Sequence, residues 1–227
     1  MTPTPNLRDT GTVYLIDDDD GVRTALGWLL RTRRLLSEPF SSGDAFWAHI
    51  SGWPADGPTS PCCALLDLRM PGMNGMELFE RLRVLPWFAA MPVIFLSGHA
   101  DLPLAVDAVR RGAFDFCEKP FSGNALINRV EEALVCSRQW LAQRANRREL
   151  LDRISTLTER EHDVMRLMAE GLPNKLIADQ LAISIRTVEV HRARIQDKLG
   201  VKSVVELVHL LHRIETTSAS KPSLTAQ

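Results

Sequence analysis

The sequence predicts an α/β domain, a doubly wound sheet of five parallel strands, joined by a helical segment to a small all-α domain. Three observations carry this. Between residues 12 and 126, five short apolar runs alternate with five stretches of helical periodicity. Several of those runs are continuous rather than alternating, as in strands buried on both faces. From residue 127 onward the period is helical throughout.

Residues 1–11 are rich in Thr and Pro and are expected to lack fixed structure. Val13-Tyr14-Leu15-Ile16 is the first strand and runs into Asp17-Asp18-Asp19-Asp20. Val22, Leu26, Leu29 and Leu30 then recur at helical spacing. Leu35 to Phe40 forms the second strand, and Ser42-Gly43-Asp44 starts a helix through Phe46, Trp47 and Ile50. A Pro-rich loop from Trp53 to Pro61 precedes the third run, Cys62 to Leu66, which ends in Asp67. Met76 to Leu85 is a helix, Pro92 to Leu96 the fourth strand, and Leu104 to Val109 a helix closed by Gly112. Phe114 to Glu118 is the fifth strand, with a helix from about Asn124. The expected domains are 12–126, a helical linker over 127–154, and 155–215. Sustained coiled-coil pairing of the linker is not expected, because its apolar seam fails from Arg144 to Arg148.

Composition excludes several classes. No apolar run approaches the roughly 18 residues of a membrane span, and the N-terminus lacks the basic and apolar regions of a secretory signal. The expectation is a cytoplasmic protein with no membrane partner. The four cysteines show no metal-ligand spacing, and three lie in apolar contexts as small buried hydrophobes. Net charge is −4 over 12–126, +2 over 127–157 and +1 over 158–214. Charge alone does not identify DNA as a partner.

Ligands of open α/β sheets bind outside the carboxyl ends of the strands. Asp17 and Asp18, Asp67, Ser97 and Lys119 all fall at such ends. Three converging carboxylates repel one another and call for a cation, and oxygen-only ligands favour Mg²⁺ or Mn²⁺. An aspartate beside that metal can act as a nucleophile in phosphoryl transfer, with Lys119 offsetting charge and the Ser97 hydroxyl donating to phosphoryl oxygens. Taken singly, the Asp run reads as a solvated loop or a helix N-cap, Lys119 as a surface lysine and Ser97 as a turn residue. Their joint order along four strand ends supports the site.

Ile16-Asp17-Asp18, Leu66 to Gly75, Leu96-Ser97-Gly98-His99 and Glu118-Lys119-Pro120-Phe121 resemble the receiver domain of two-component response regulators. The resemblance spans about residues 12–126 and implies a flavodoxin-like fold. It implies phosphorylation of Asp67 by a sensor histidine kinase. It also implies Mg²⁺ held by Asp18, Asp67 and the Arg69 carbonyl, with Asp17 bound through water. Ser97 and Phe116 would be switch residues that remodel the face around the fourth and fifth helices, and Lys119-Pro120 would be a cis peptide.

In the C-terminal part, Thr158-Glu159-Arg160-Glu161 has the form of a capping box. Asn174 to Ala193 then gives a short helix, a tight break and a second helix, the spacing of a helix-turn-helix. Composition alone favours a generic three-helix bundle with a solvated face over a helix-turn-helix. Leu157 to Glu161, Asn174-Lys175 and Arg186 to His191 through Gly200 resemble the LuxR-type DNA-binding domain, so the whole chain resembles the NarL/FixJ class, the FixJ type above all. Leu176 departs from a commonly acidic position. The resemblance implies that double-stranded DNA is met by Asn174, Lys175 and the second helix. Glu189, Val190, Arg192 and Ala193 would face base edges, Lys175, Arg186, Thr187 and Lys198 phosphates, and Arg194 either, with His191 in the same set. Phosphorylation would switch homodimerisation and transcription regulation, with RNA polymerase as a further partner.

Two competing readings follow. A phosphatase working through an aspartyl-phosphate, of the haloacid dehalogenase type, generally needs a second acid two residues after the nucleophile, where this chain has Arg69. A protein-interaction scaffold would bind no DNA. The expected protein is a regulator and not an enzyme.

Overall fold

The structure is a computed structural model that describes residues 11–98 and 102–219. His99 of the quoted motif, residues 1–10 and residues 220–227 lie outside the described residues. Two compact units divide the chain, Met1–Ala142 and Gln143–Gln227.

The first unit holds β1 (Thr12–Ile16), α1 (Asp20–Thr32), β2 (Leu36–Phe40), α2 (Gly43–Ile50), β3 (Cys62–Asp67), α3 (Gly75–Arg83), β4 (Val93–Ser97), α4 (Leu102–Arg110), β5 (Asp115–Glu118) and the first part of α5 (Gly123–Ser155). All four strand pairings are parallel and the order is β2-β1-β3-β4-β5. The winding reverses between β1 and β3, the crevice where such sheets place their ligands. β3 is buried at all six positions, as a central strand must be. β2 carries Pro39, which has no ladder N–H and is tolerated because β2 is an edge strand.

Alternate strand residues build two cores. Ile16, Ala64, Leu66 and Phe95 pack with Phe46, Ile50, Leu78, Phe79 and Leu82 of α2 and α3. Val13, Leu15, Leu65, Ile94 and Leu96 pack on the other face with Leu26 and Leu30 of α1 and Leu126, Ile127, Val130 and Leu134 of α5. The stretch expected as a helical linker over 127–154 thus begins inside this core, with Ile127, Val130, Ala133 and Leu134. Ser137, further along the same helix, is fully buried; its hydroxyl accepts the Cys62 amide at 2.9 Å and donates to the Ala90 carbonyl. The apolar period had shown where this helix is amphipathic, but not how far it stays on the sheet.

The second unit contains the end of α5, α6 (Glu159–Ala169), α7 (Asn174–Leu181), α8 (Ile185–Leu199) and α9 (Val204–Ala219), which runs past residue 215. Its core is Val164, Leu167, Met168, Ile177, Val188, Ile195, Leu199 and Leu207, with Leu150 and Ile154 packed against it. The capping box at Thr158 and Glu161 forms as its sequence pattern requires. Gly200 ends α8 in the left-handed region, with φ 68°.

Candidate functional site

Three strand ends meet at the crevice. Asp17, directly after β1, is 2 % exposed. Its carboxylate accepts the Asp19 amide at 2.9 Å and Lys119 Nζ at 2.8 Å, and its carbonyl accepts Arg23 Nη1 at 2.6 Å. Asp67, the last residue of β3, is 8 % exposed. Its Oδ1 accepts the same Lys119 ammonium at 2.6 Å and its Oδ2 the Arg69 amide at 2.6 Å. One lysine thus bridges two nearly buried carboxylates. The Lys119 amide donates to the Ser97 carbonyl at 2.7 Å, which registers the end of β5 on β4, and the Lys119-Pro120 peptide is cis.

The four-aspartate run separates by role. Asp17 turns inward, Asp18 is exposed, Asp19 caps α1 by accepting the Gly21 and Val22 amides, and Asp20 pairs with Arg23 at 2.8 Å. Both readings of the run therefore coexist, a site residue and an N-cap two positions later. Arg23 was not singled out from the sequence. It is the fourth residue of α1, and no local pattern announces a contact with a carbonyl six residues back.

Electrostatics follow burial and partners. Burial pushes the Asp67 carboxyl above its ordinary value; hydrogen bonding and charge from Lys119 oppose this, while Asp17 adds to it. For Lys119, burial pulls downward but the hydrogen bonds to Asp17 and Asp67 outweigh it, and the ammonium is held above its ordinary value. One ammonium is shared between the Asp17 and Asp67 carboxylates, while Asp18 beside them in sequence is exposed. Among the described residues, no three His, Cys, Asp or Glu side chains converge closely enough to cage a metal by themselves. The donors on offer are carboxylate and carbonyl oxygens only, a set that suits a hard dication retaining much of its water. Ser97 is 1 % exposed and its Oγ has no hydrogen-bond partner among the described residues. Phe116 of β5 is half-buried against the core that contains Phe95.

The loop between β3 and α3 is held by close approach. A Cβ on Gly75 would lie 2.1 Å from the Asp67 carbonyl oxygen, and the Gly75 amide donates to the Leu68 carbonyl at 3.1 Å. Asp44 of α2 accepts the Met73 amide at 3.2 Å from the other side.

In the second unit, α7 and α8 pack as a helix pair around Ile177, Ala178, Val188 and Ile195. Ser184 caps α8, its Oγ accepting the Thr187 amide at 3.0 Å and meeting the Thr187 hydroxyl at 2.8 Å. Arg186, Glu189, Val190, Ala193 and Arg194 are exposed and follow a three-four spacing, so they share one face of α8. Lys175 is exposed, while Asn174, Thr187, His191 and Arg192 are half-buried.

Lys198, expected at a phosphate, has protein partners for its ammonium in this structure. Its ammonium donates to Glu161 at 2.7 Å and to the Thr156 carbonyl at 2.9 Å. Glu161, with a side chain 3 % exposed, also accepts the Thr158 amide at 2.9 Å. Lys198 lies one turn beyond Arg194 on α8, and its long flexible side chain is free to turn toward a buried partner. The Lys198 and Thr158 hydrogen bonds pull the Glu161 carboxyl from 4.5 to about 2. A carboxylate depressed in this way stabilises the fold above its unfolded value and loses that contribution as pH falls toward about 2. In thermal melts, wild type is therefore expected to exceed Glu161→Gln in stability at pH 7, with the gap closing between about pH 4.5 and 2. A gap that widens on acidification would contradict the pairing.

Comparison with known proteins agrees with this geometry. Residues 13–131 match the family of response regulator receiver domains, and residues 155–211 match the luxR family of bacterial regulatory proteins. The chain is 40 % identical over 200 residues to the C4-dicarboxylate transport transcriptional regulatory protein DctR of Rhodobacter capsulatus, covering 88 % of this chain and 98 % of that one. It is 41 % identical over 198 residues to the transcriptional regulatory protein FixJ of Azorhizobium caulinodans, covering 87 % and 90 %. Among solved structures it is similar to the response regulator StyR, with TM-score 0.77, 37 % identity and coverage of 90 % and 99 %. It is also similar to full-length FixJ from B. japonicum, with TM-score 0.53, 35 % identity and coverage of 91 % and 98 %. A parallel sheet with two bridged carboxylates at its switch point, followed by a luxR-family helix pair, places the chain among the two-component response regulators of the NarL/FixJ type, which regulate transcription through DNA binding.

Proposed function

We propose that Asp67 is the phosphoacceptor and that its modification by a sensor histidine kinase switches homodimerisation and transcription regulation. The observation that carries this reading is the Lys119 ammonium shared between Asp17 and Asp67, beside a buried and unpartnered Ser97 hydroxyl. An Asp67 carboxylate oxygen attacks the phosphorus of a phosphohistidine, the P–N bond breaks, and the imidazole leaves. Lys119 is placed to offset charge gathering on the phosphoryl oxygens, and Ser97 has a free donor for one of them. Asp17, Asp18, Asp67 and the Arg69 carbonyl would hold Mg²⁺, whose contribution when bound is to neutralise charge on the transferring group. The product adds about −2 charge and three acceptor oxygens, which favours an arrangement with Ser97 and Phe116 turned toward the phosphoryl group.

The chain acts as a cytoplasmic regulator without turnover of its own; no described helix is long and apolar enough to cross a membrane. The position two residues past Asp67 supplies an Arg69 amide and not a second acid, which speaks against the phosphatase reading. DNA contacts are assigned to Asn174, Lys175, Arg186, Thr187, Glu189, Val190, His191, Arg192, Ala193 and Arg194, with RNA polymerase as a further partner. The exposed stripe on α8 supports this assignment. In a gel-shift on promoter-region fragments, an acyl phosphate donor with Mg²⁺ should tighten binding about tenfold or more, within the usual range of allosteric coupling. Equal binding with and without the donor, in protein shown to be phosphorylated, would remove the switch.

A further inference from the structure

We propose that Lys198 is a positioning residue for DNA binding, acting through Glu161 to hold the last turn of α8 on the first turn of α6. This rests on the luxR-family assignment of α8 as the DNA-reading helix. It differs from a phosphate contact in what the ammonium is bonded to.

Two of the three Lys198 donors are taken inside the protein, by Glu161 at 2.7 Å and the Thr156 carbonyl at 2.9 Å. Glu161 is itself immobilised. As the third helical residue of α6 it completes the capping box, its amide donating to Thr158 Oγ1 at 3.3 Å while its carboxylate takes the Thr158 amide. The acceptor that Lys198 reaches is therefore fixed to the backbone at both ends of the box, and the side chain is buried where water cannot substitute. The same turn is secured a second time. Arg153 Nη1 lies 3.4 Å from the Leu199 carbonyl, and a Cβ on Gly200 would stand 3.0 Å from that nitrogen. Glycine at 200 thus serves the left-handed cap and also leaves room for the guanidinium. Both cations lie at the carboxyl end of α8, where the helix macrodipole favours positive charge.

Residues 153–161 consequently form a clasp on the end of α8 remote from Ser184. Arg186, Glu189, Val190, Ala193 and Arg194 project from a helix whose tilt is set by that clasp. Releasing it lets α8 shift while the basic face keeps all its charges.

The test is anisotropy of the full-length, donor-treated protein on a short labelled duplex of mixed sequence, titrated across salt concentrations. Under the proposal Lys198→Met binds about tenfold more weakly at every salt concentration, with the slope of log affinity against log salt unchanged, since no counterion-releasing contact is lost. Arg186→Ala, assigned to a phosphate, lowers that slope by about one. Glu161→Ala is also expected to weaken binding, although deleting a negative charge should by Coulomb's law alone strengthen it. The double variant is expected to bind no more weakly than Lys198→Met, the signature of two residues acting as a unit. Lys198 is a phosphate contact instead if its substitution lowers the slope by about one while Glu161→Ala binds as well as or better than wild type. A wild-type protein with no salt-dependent binding would overturn the DNA-binding reading itself, and the positioning role with it.

Discussion

Asp67→Asn is expected to take up no phosphoryl label from an acyl phosphate donor with Mg²⁺ and to lose donor-dependent DNA binding. An amide oxygen is a poor nucleophile and forms no stable acyl phosphate, so the loss should be complete rather than partial. The substitution should cost little stability. Burial holds the Asp67 carboxyl above its ordinary value, so in the folded state the ionised form is disfavoured relative to the unfolded chain. Replacing it by a neutral amide removes that penalty, while Lys119 keeps Asp17 as a partner at 2.8 Å. Melting temperature should therefore be equal to or above wild type at pH 7, which separates lost chemistry from lost folding. Labelling that persists at another residue, as found by peptide mapping, would reassign the acceptor.

Gly75→Ala is expected to destabilise the sheet unit by about 3 kcal/mol, at the upper end of the usual cost of overpacking. The added carbon would sit 2.1 Å from the Asp67 carbonyl oxygen and 3.0 Å from Leu68 Cα, both backbone atoms, so no side-chain rotation relieves the clash. The chain must move the segment that carries Asp67, and phosphorylation should slow along with the fall in stability. Gly27→Ala is the internal contrast. The nearest atom to its Cβ would be Ser37 Oγ of β2 at 3.8 Å, an ordinary contact, and Gly27 lies inside α1, so alanine should stabilise by about 0.5–1 kcal/mol through helix propensity. Urea unfolding of the two variants should move in opposite directions. A neutral Gly75→Ala would mean that the β3–α3 loop is not held against the strand end.

These opposed expectations show where sequence reasoning succeeds and where it stops. Strand runs such as Cys62–Asp67, the helix periods and the Thr158 capping box depend on neighbours within a few residues, and each formed where its pattern lay. Asp17, Asp67, Ser97 and Lys119 were legible together because the parallel topology brings successive strand ends to one edge. Arg23 and Ser137 were not legible, since their partners are a backbone carbonyl across a helix start and two main-chain groups of the distant segments at Cys62 and Ala90. How far α5 stays on the sheet was not legible for a related reason: apolar spacing reports that a helix has a buried face, without saying which unit covers it.

Asp67 and Lys198 mark the two cases. The residues around Asp67 identified it as the carboxylate of the strand-end site, because a buried parallel strand leaves its terminal side chain one place to go. Only the folded chain decided that Lys198 binds Glu161 and Thr156. Its four-carbon stem can reach solvent or the neighbouring helix with equal ease, and the choice falls to a carboxylate 37 residues away that burial leaves in need of a partner.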